Sequence, residues 1–345
     1  MKVLLLLSFF LLPYLVNAQM ATGSIFRTMR SENPAVISER PAATFGAMFK
    51  MDNVEKTQET TGALSSSSSE ISISNFSFFY GGKGGKGVTS EIFGEVGSGE
   101  KTDNVTTSGS DANQKTESDL TMISASIGFL KYFGFGVMKV SNENVQTGAT
   151  TNTSTTDLMI YTGGLKFNLG VDIGFFYQHA PLDSAGGPEI DMSRVGFGVG
   201  YKNKKNTFHI EMAYIMNLED EREELGGGTG AGQNVAINSP AKVMGTLEFK
   251  LGAISLGVTS NYYIEGYFDF NNLMYYTMVM ANNKENRLEN TFNFSLGAEK
   301  GHSFSGGVTI ATVESNESPP TLLSGAKYKT TTDILGFNVS YSYAF

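Results

Sequence analysis

After residue 41, apolar side chains alternate with small or polar ones at a period of two, which is the pattern of β-strands with two different faces. Residues 335–345 show it most clearly, with aromatic and aliphatic side chains at every odd position and small or polar ones between them. Fourteen such segments are predicted as strands, at about 42–53, 70–80, 88–97, 118–130, 133–142, 156–167, 170–180, 191–201, 207–218, 241–250, 254–266, 287–299, 303–314 and 328–345.

The connections between these segments alternate between short and long. Transmembrane β-barrels join an even number of strands by short periplasmic turns and longer extracellular loops. A soluble β-sandwich has no reason to keep this alternation. The sequence therefore predicts an all-β protein, a transmembrane antiparallel β-barrel of about 14 strands with both termini on the periplasmic side. Its long loops are expected at about 54–69, 98–117, 143–155, 181–190, 219–240, 267–286 and 315–327.

The first 18 residues have the pattern of a secretory signal peptide. Lys2 supplies the positive charge, residues 3–16 are almost wholly apolar, and Ala18 ends the expected cleavage site. The alternative is a membrane anchor, but the apolar core is shorter than the roughly 20 residues of a spanning helix. We therefore expect an exported chain.

Composition narrows the classes of function. The chain has no Cys, which excludes disulfides and a thiol nucleophile, and its net charge of -9 disfavours nucleic acid as a partner. Its 40 Gly and its many Phe and Tyr suit strands with one small or polar face and one greasy face.

Residues 19–41 lack strand alternation and contain Asn33, Pro34 and Ala35, followed by an aliphatic residue just before the first strand. This segment resembles the N-terminal motif of the FadL/OmpP1/TodX family of outer-membrane transporters for hydrophobic compounds. The resemblance implies a fourteen-stranded barrel with an N-terminal hatch. It also implies passive uptake of hydrophobic small molecules, such as long-chain fatty acids or aromatic hydrocarbons, across the bacterial outer membrane.

The expected organisation is a signal peptide (1–18), a plug or hatch segment (19–41) and a barrel (42–345). The partners expected from it are outer-membrane lipid and a hydrophobic small-molecule ligand. The terminal Phe345 follows aromatic residues at 341 and 343, an ending similar to the signature that the outer-membrane assembly machinery recognises.

Charged residues of both signs have the parity of the barrel interior. They either pair across the lumen and fill it, or line a pathway for polar or amphipathic solutes. These lumen candidates are Lys50, Glu91, Glu95, Arg194, His209, Glu211, Lys242 and Glu248.

The loop after the eleventh strand, which begins with Tyr267, is unusually apolar. It either folds onto its neighbours or forms a Met-rich capture surface for a greasy ligand. The candidate ligand residues are Phe268, Phe270, Leu273, Met274, Tyr275, Tyr276 and Met278.

Catalytic motifs are weak. The glycine-rich segments at 81–87 and 226–232 have neither P-loop nor dinucleotide-binding context, and the three His residues are far apart. Only His179 lies near a long loop, where a barrel-embedded hydrolase would need it. We predict no enzyme activity, no cofactor and no metal. A general diffusion porin and a structural or adhesive barrel with a closed lumen remain the alternatives to a transporter.

Overall fold

A computed structural model describes residues 43–61, 65–83, 87–107, 110–130, 132–148, 150–182, 190–203, 207–220, 241–264, 267, 286–297, 301–317 and 327–345. These residues form fourteen strands. Their bounds are β1 Thr44–Thr61, β2 Ser65–Lys83, β3 Val88–Thr107, β4 Ser110–Phe129, β5 Phe133–Thr147, β6 Thr151–Asn168, β7 Asp172–Leu182, β8 Ile190–Lys202, β9 Phe208–Asp220, β10 Ala241–Leu251, β11 Ile254–Ile264, β12 Arg287–Gly297, β13 Gly301–Glu317 and β14 Lys327–Ala344.

Every strand pairs antiparallel with its neighbours in sequence, and β1 pairs with β14 to close the barrel. Closure satisfies the backbone N–H and C=O groups of all strands, which the interior of a lipid bilayer requires. The predicted all-β transmembrane barrel of fourteen strands is confirmed. Over the described ranges, no helix is long and apolar enough to cross a membrane.

Alternation along the strands separates an outer from an inner face. On the outer face Phe78, Ile123 and Phe135 are each more than half exposed, as lipid-facing side chains are in the isolated chain. On the inner face their neighbours in sequence are largely buried. Because the side-chain period of a strand is two, the parity read from the sequence places the residues of each face correctly.

Several long loops of the sequence prediction are wrong, because the strands continue through them. Residues 54–61 and 65–69 extend β1 and β2, and residues 98–107 and 110–117 extend β3 and β4. Residues 143–147 and 151–155 likewise extend β5 and β6. These stretches are rich in Ser, Thr and charged residues on both faces, so they carry no apolar alternation. They form strands because the hydrogen-bonded pairing with the adjacent strand continues along them and gives their backbone N–H and C=O groups partners.

Two of the predicted short turns, after β6 and β10, lie wholly within the described residues and are confirmed. Gly170, Gly252 and Gly301 have φ values of 87°, 67° and 94°, a left-handed conformation that a side chain disfavours. These glycines allow adjacent strands to reverse within a few residues, and they fix the strand register there.

Candidate ligand pathway in the barrel interior

The interior contains a large apolar cluster on the walls formed by β1, β2, β4–β7, β13 and β14. Every member is at most 4% exposed, and the half-buried Phe93 of β3 packs against it. The members are Val54, Ile71, Ile73, Leu120, Met122, Met138, Val140, Leu158, Ile160, Ala180, Ala311 and Ile334.

A small apolar cluster lies on the other side of the barrel, on β7 and β9–β11. It contains Phe176, Ala213, Ile215, Met244, Tyr263 and Tyr267. The ring of Phe176 lies where a side chain at Gly196 of β8 would stand, so the glycine allows the ring to lie against the wall. The two clusters approach each other along β7, which supplies Ala180 to one and Phe176 to the other.

Three cations adjoin the two tyrosines of the small apolar cluster. We call these five residues the tyrosine–cation cluster: Arg194, Lys242, Tyr263, Tyr267 and Arg287. The guanidinium carbon of Arg287 is 4.3 Å from the ring centre of Tyr263, and the ammonium of Lys242 is 5.2 Å from it. Arg194 donates a hydrogen bond of 2.7 Å from Nη1 to the hydroxyl of Tyr267. The Tyr263 and Tyr267 rings lie 6.3 Å apart between centres. Cations over aromatic faces in a dry site are held by the ring quadrupole as well as by hydrogen bonds.

Arg194 is fully buried and is held by the polar wall of β6 and β7. Its Nε donates to Oε1 of Gln178, whose Nε2 donates to Thr162 at 2.8 Å. The register between β8 and β9 shifts between Ser193 and Arg194, which marks a β-bulge. A β-bulge changes the direction of nearby side chains, and this one lies where Arg194 points into the barrel.

Arg287 pairs with a carboxylate on its own strand. Its Nε lies 2.9 Å from Oε1 of Glu289, and the Tyr263 hydroxyl donates to the other oxygen of that carboxylate at 3.2 Å. The cluster therefore brings three cationic side chains together around two tyrosine rings, with Glu289 bound to both Arg287 and Tyr263.

The predicted lumen residues all lie on the inner face. Lys50 is half-buried, and the other seven are less than 10% exposed. His209, Glu211 and Glu248 come together near the periplasmic ends of β9 and β10, with His209 Nε2 paired to Glu211 and His209 Nδ1 3.8 Å from Glu248. Arg194 and Lys242 belong to the tyrosine–cation cluster.

The described ion pairs join residues of one strand or of adjacent strands. Lys50 pairs with Asp52 at 2.6 Å within β1, and Glu95 accepts a hydrogen bond of 3.1 Å from Asn75 on the adjacent β2. Lys50 also interacts electrostatically with Glu95 of β3 and Glu289 of β12. That the lumen charges pair across the barrel stays a prediction. Along β9 and β10, Glu211 and Glu248 lie near the periplasmic ends and Lys242 lies near the extracellular end.

Sequence reasoning missed Gln178, Tyr263, Arg287 and Glu289 as site residues. The alternation along the sequence does assign them to the inner face: Tyr263 follows the outward Tyr262, and Gln178 shares its face with Phe176. Parity reports which face a residue occupies, but it does not report which residues of separate strands meet.

Of the apolar loop, the structure describes Tyr267, which is buried against Tyr263 and Arg194. The remaining loop candidates, from Phe268 to Met278, and the motif Asn33-Pro34-Ala35 lie outside the described residues. The predicted signal peptide and plug lie outside them as well. Among the described residues, no group of three or more acidic or His side chains has the arrangement of a metal site.

No family model matches the chain, and no curated protein matches it. Solved structures do. The TodX deltaS2S3 mutant monoaromatic hydrocarbon channel is 11% identical, and the match covers 97% of this chain and 98% of that chain with a TM-score of 0.59. The P. putida toluene transporter TodX is 10% identical over 92% of this chain and 94% of that chain, with a TM-score of 0.55.

These likenesses define the class of fold, a fourteen-stranded transmembrane barrel. Within that class the chain has the fold of the TodX barrels, as the N-terminal motif and the strand count led us to expect.

Proposed function

We propose that this chain is an outer-membrane barrel for the passive uptake of hydrophobic small molecules, and that its interior favours molecules with an anionic end. The observation that carries the proposal is the tyrosine–cation cluster beside the small apolar cluster inside the barrel. The barrel fold supports an outer-membrane location, and the TodX structures named above are those of a hydrocarbon channel and a toluene transporter.

The dry interior favours a hydrophobic cargo over a general diffusion pathway. A water-filled pore would leave its wall accessible to solvent, whereas Val54, Val140 and Ile160 on three different strands are fully buried. Apolar surface that is shielded in this way gains free energy by contacting an apolar ligand rather than water. A general diffusion porin is therefore the weaker alternative.

The cations distinguish between the two ligand classes that the family resemblance implies. An aromatic hydrocarbon has no charge, whereas a long-chain fatty acid ends in a carboxylate. Arg and Lys in a desolvated site form charge-assisted hydrogen bonds to a carboxylate, and the neighbouring tyrosine rings add apolar contact to the adjoining chain. The tyrosine–cation cluster thus favours the acid.

Three further parts of the proposal come from the sequence. The segment 19–41 acts as a plug, the apolar loop that includes Phe268 to Met278 collects the ligand at the cell surface, and the signal peptide directs export. That the chain is not an enzyme also stays a prediction.

Uptake measurements with two substrates test the proposal. We expect Lys242→Met to lower the initial uptake rate of radiolabelled oleate by roughly tenfold, because a hydrogen bond to a charged group contributes about 1.5–3 kcal/mol. Uptake of radiolabelled toluene should stay within about twofold of wild type. The matched control is Lys250→Met, on the inner side of the same strand near its periplasmic end, which should leave both rates unchanged.

The outcomes separate the parts of the proposal. Equal losses for oleate and toluene would show that Lys242 supports the barrel rather than an anionic end. Unchanged uptake of both would remove the anionic end from the proposal, and no uptake of either substrate by the wild-type barrel would refute the transport function.

A further inference from the structure

Lys139 lies on the outer face of β5, where the barrel meets lipid. It is exposed, and its register partners are Ile123 on β4 and Met159 on β6. Ile123 is 60% exposed, and Met159 and the preceding outward residue, Val137, are also exposed. The lysine therefore projects from an apolar, lipid-facing surface.

The outward apolar residues of the strands form a lipid-facing band around the barrel. Among the residues that the structure describes, Lys139 is the lysine that lies within this apolar band. On the other strands the outward carboxylates and lysines begin beyond the band, as with Glu70 after Ser72 and Ser74. Lys139 forms no ion pair or hydrogen bond with a described residue. An outward lysine is strongly disfavoured at the bilayer midplane but tolerated at the interface, where its ammonium can extend to the lipid headgroups.

The register places Lys139 at that interface. Outward residues that are register partners on adjacent strands form rows across the barrel wall. The next row beyond Lys139, away from the periplasmic side, consists of Thr121 on β4, Ser141 on β5 and Asp157 on β6. The apolar band ends between the two rows. Because this is the end remote from the short turns, the interface belongs to the leaflet on the extracellular side.

Hydrogen-bonding groups continue from Lys139 along the outer face. Tyr161 of β6, His179 of β7 and Ser193 of β8 occupy one paired row. Ser193 Oγ lies 3.2 Å from His179 Nδ1 and 3.0 Å from the hydroxyl of Tyr177. Tyr161 is diagonal to Lys139, a relation that places Cβ atoms about 7–8 Å apart and within reach of long side chains.

We propose that this patch binds the phosphorylated headgroup of a lipid in the extracellular leaflet. Lys139 supplies the positive charge for the phosphate, and the hydroxyl of Tyr161 on the adjacent strand supplies a hydrogen bond beside it. The apolar residues below the patch contact the acyl chains. Asp157 lies one row above Lys139 and is diagonal to it, as Tyr161 is on the other side, so the phosphate approaches the ammonium from the membrane side of the Asp157 row.

A lipid titration of the purified, full-length protein in a neutral detergent tests the proposal. Dioleoyl phosphatidic acid is the probe, and the thermal unfolding midpoint is the readout, since a ligand that binds the folded state raises it. We expect phosphatidic acid to raise the midpoint of the wild-type protein, and dioleoylglycerol, which has the same chains without phosphate, to give a much smaller shift. Inorganic phosphate alone should give none.

Substitutions locate the site. Lys139→Gln should weaken the phosphatidic acid response at least fivefold in midpoint concentration, and Lys139→Arg should retain it. The matched control Lys329→Gln, another outward and exposed lysine but beyond the apolar band, should respond as wild type does. A wild-type response in Lys139→Gln would overturn the proposal, and so would an equal response to dioleoylglycerol or to inorganic phosphate. Tyr161→Phe offers a second test, with a smaller loss expected.

Discussion

At the scale of single residues, the interior depends on small side chains that leave room for large ones. Gly196 and Phe176 illustrate this, because the aromatic ring covers the position that a Cβ of residue 196 would occupy. Phe176 contributes in turn to the small apolar cluster beside Arg194 and Lys242. The shape of the ligand pathway is thus set partly by where the wall has no side chain.

Gly196→Ala should displace the Phe176 ring into the lumen. Overpacking of this kind costs about 1–3 kcal/mol, so we expect a lower urea midpoint for unfolding of the barrel in lipid vesicles, together with slower oleate uptake. Gly245→Ala is the control, since a Cβ at that position meets nothing within 4 Å. If both variants unfold at the wild-type midpoint, the aromatic–glycine contact contributes nothing measurable to stability.

The sequence predicted which face each of these residues occupies but not their contacts. Period-two alternation assigns Arg194 and Lys242 to the interior without reference to any other strand. The contact between Arg194 and Tyr267 joins residues 73 positions apart and depends on the course of the chain after β11. Such a contact has no local sequence signal, because the two residues meet only once the chain after β11 lies against β8.

At the scale of the strands, the barrel wall is higher on one side than the other. Strands β1–β4 have 18–20 residues, whereas β7 and β10–β12 have 11. A tilted membrane-spanning strand needs about 9–11 residues, so the upper parts of β1–β4 stand outside the bilayer. Their two polar faces fit that position.

Because the upper part of the β3–β4 hairpin lies outside the apolar band, it should be dispensable for assembly. We expect a variant in which residues 103–114 are replaced by Asn-Gly to fold, with heat-modifiable electrophoretic mobility like that of wild type. Thr102 and Lys115 are register partners, so a two-residue turn can join them. The removed contacts, such as Lys101 with Asp103, are surface pairs of roughly 0–1 kcal/mol each.

A cut of the same length inside the apolar band is the matched control. Removing 92–97 and 120–125 takes out paired residues that include the outward Ile92, Val96 and Ile123, and it should abolish folding. Loss of folding in the upper cut as well would show that the extension is needed for assembly.

The strand extensions also show why the sequence prediction failed there. Residues 65–69 are five consecutive serines, a composition typical of a loop, yet they pair with residues of β1 and β3. Hydrophobic alternation arises where the two faces of a strand meet different environments. A strand with water on both faces therefore shows no such alternation. The membrane-spanning parts were predictable because lipid and lumen differ.

At the scale of the whole molecule, the closed wall and its buried apolar clusters favour an obstructed lumen over an open one. Eight-stranded barrels are filled by their own side chains, whereas barrels of 16–18 strands leave an aqueous channel. A fourteen-stranded wall lies between these two sizes, and its apolar inner residues are buried.

The predicted plug, residues 19–41, supplies a specific test of how the lumen is closed. We expect the full-length protein to show no steady conductance in planar bilayers, and a variant lacking residues 19–41 to show a persistent open level, because water and ions would then enter beside the large apolar cluster. A refolded sample of each variant should first show the same heat-modifiable mobility, so that a leak from misfolded protein is excluded. If the full-length protein conducts steadily, the general diffusion porin becomes the better description. If the deletion variant stays closed, the wall's own side chains seal the lumen and the segment has another role.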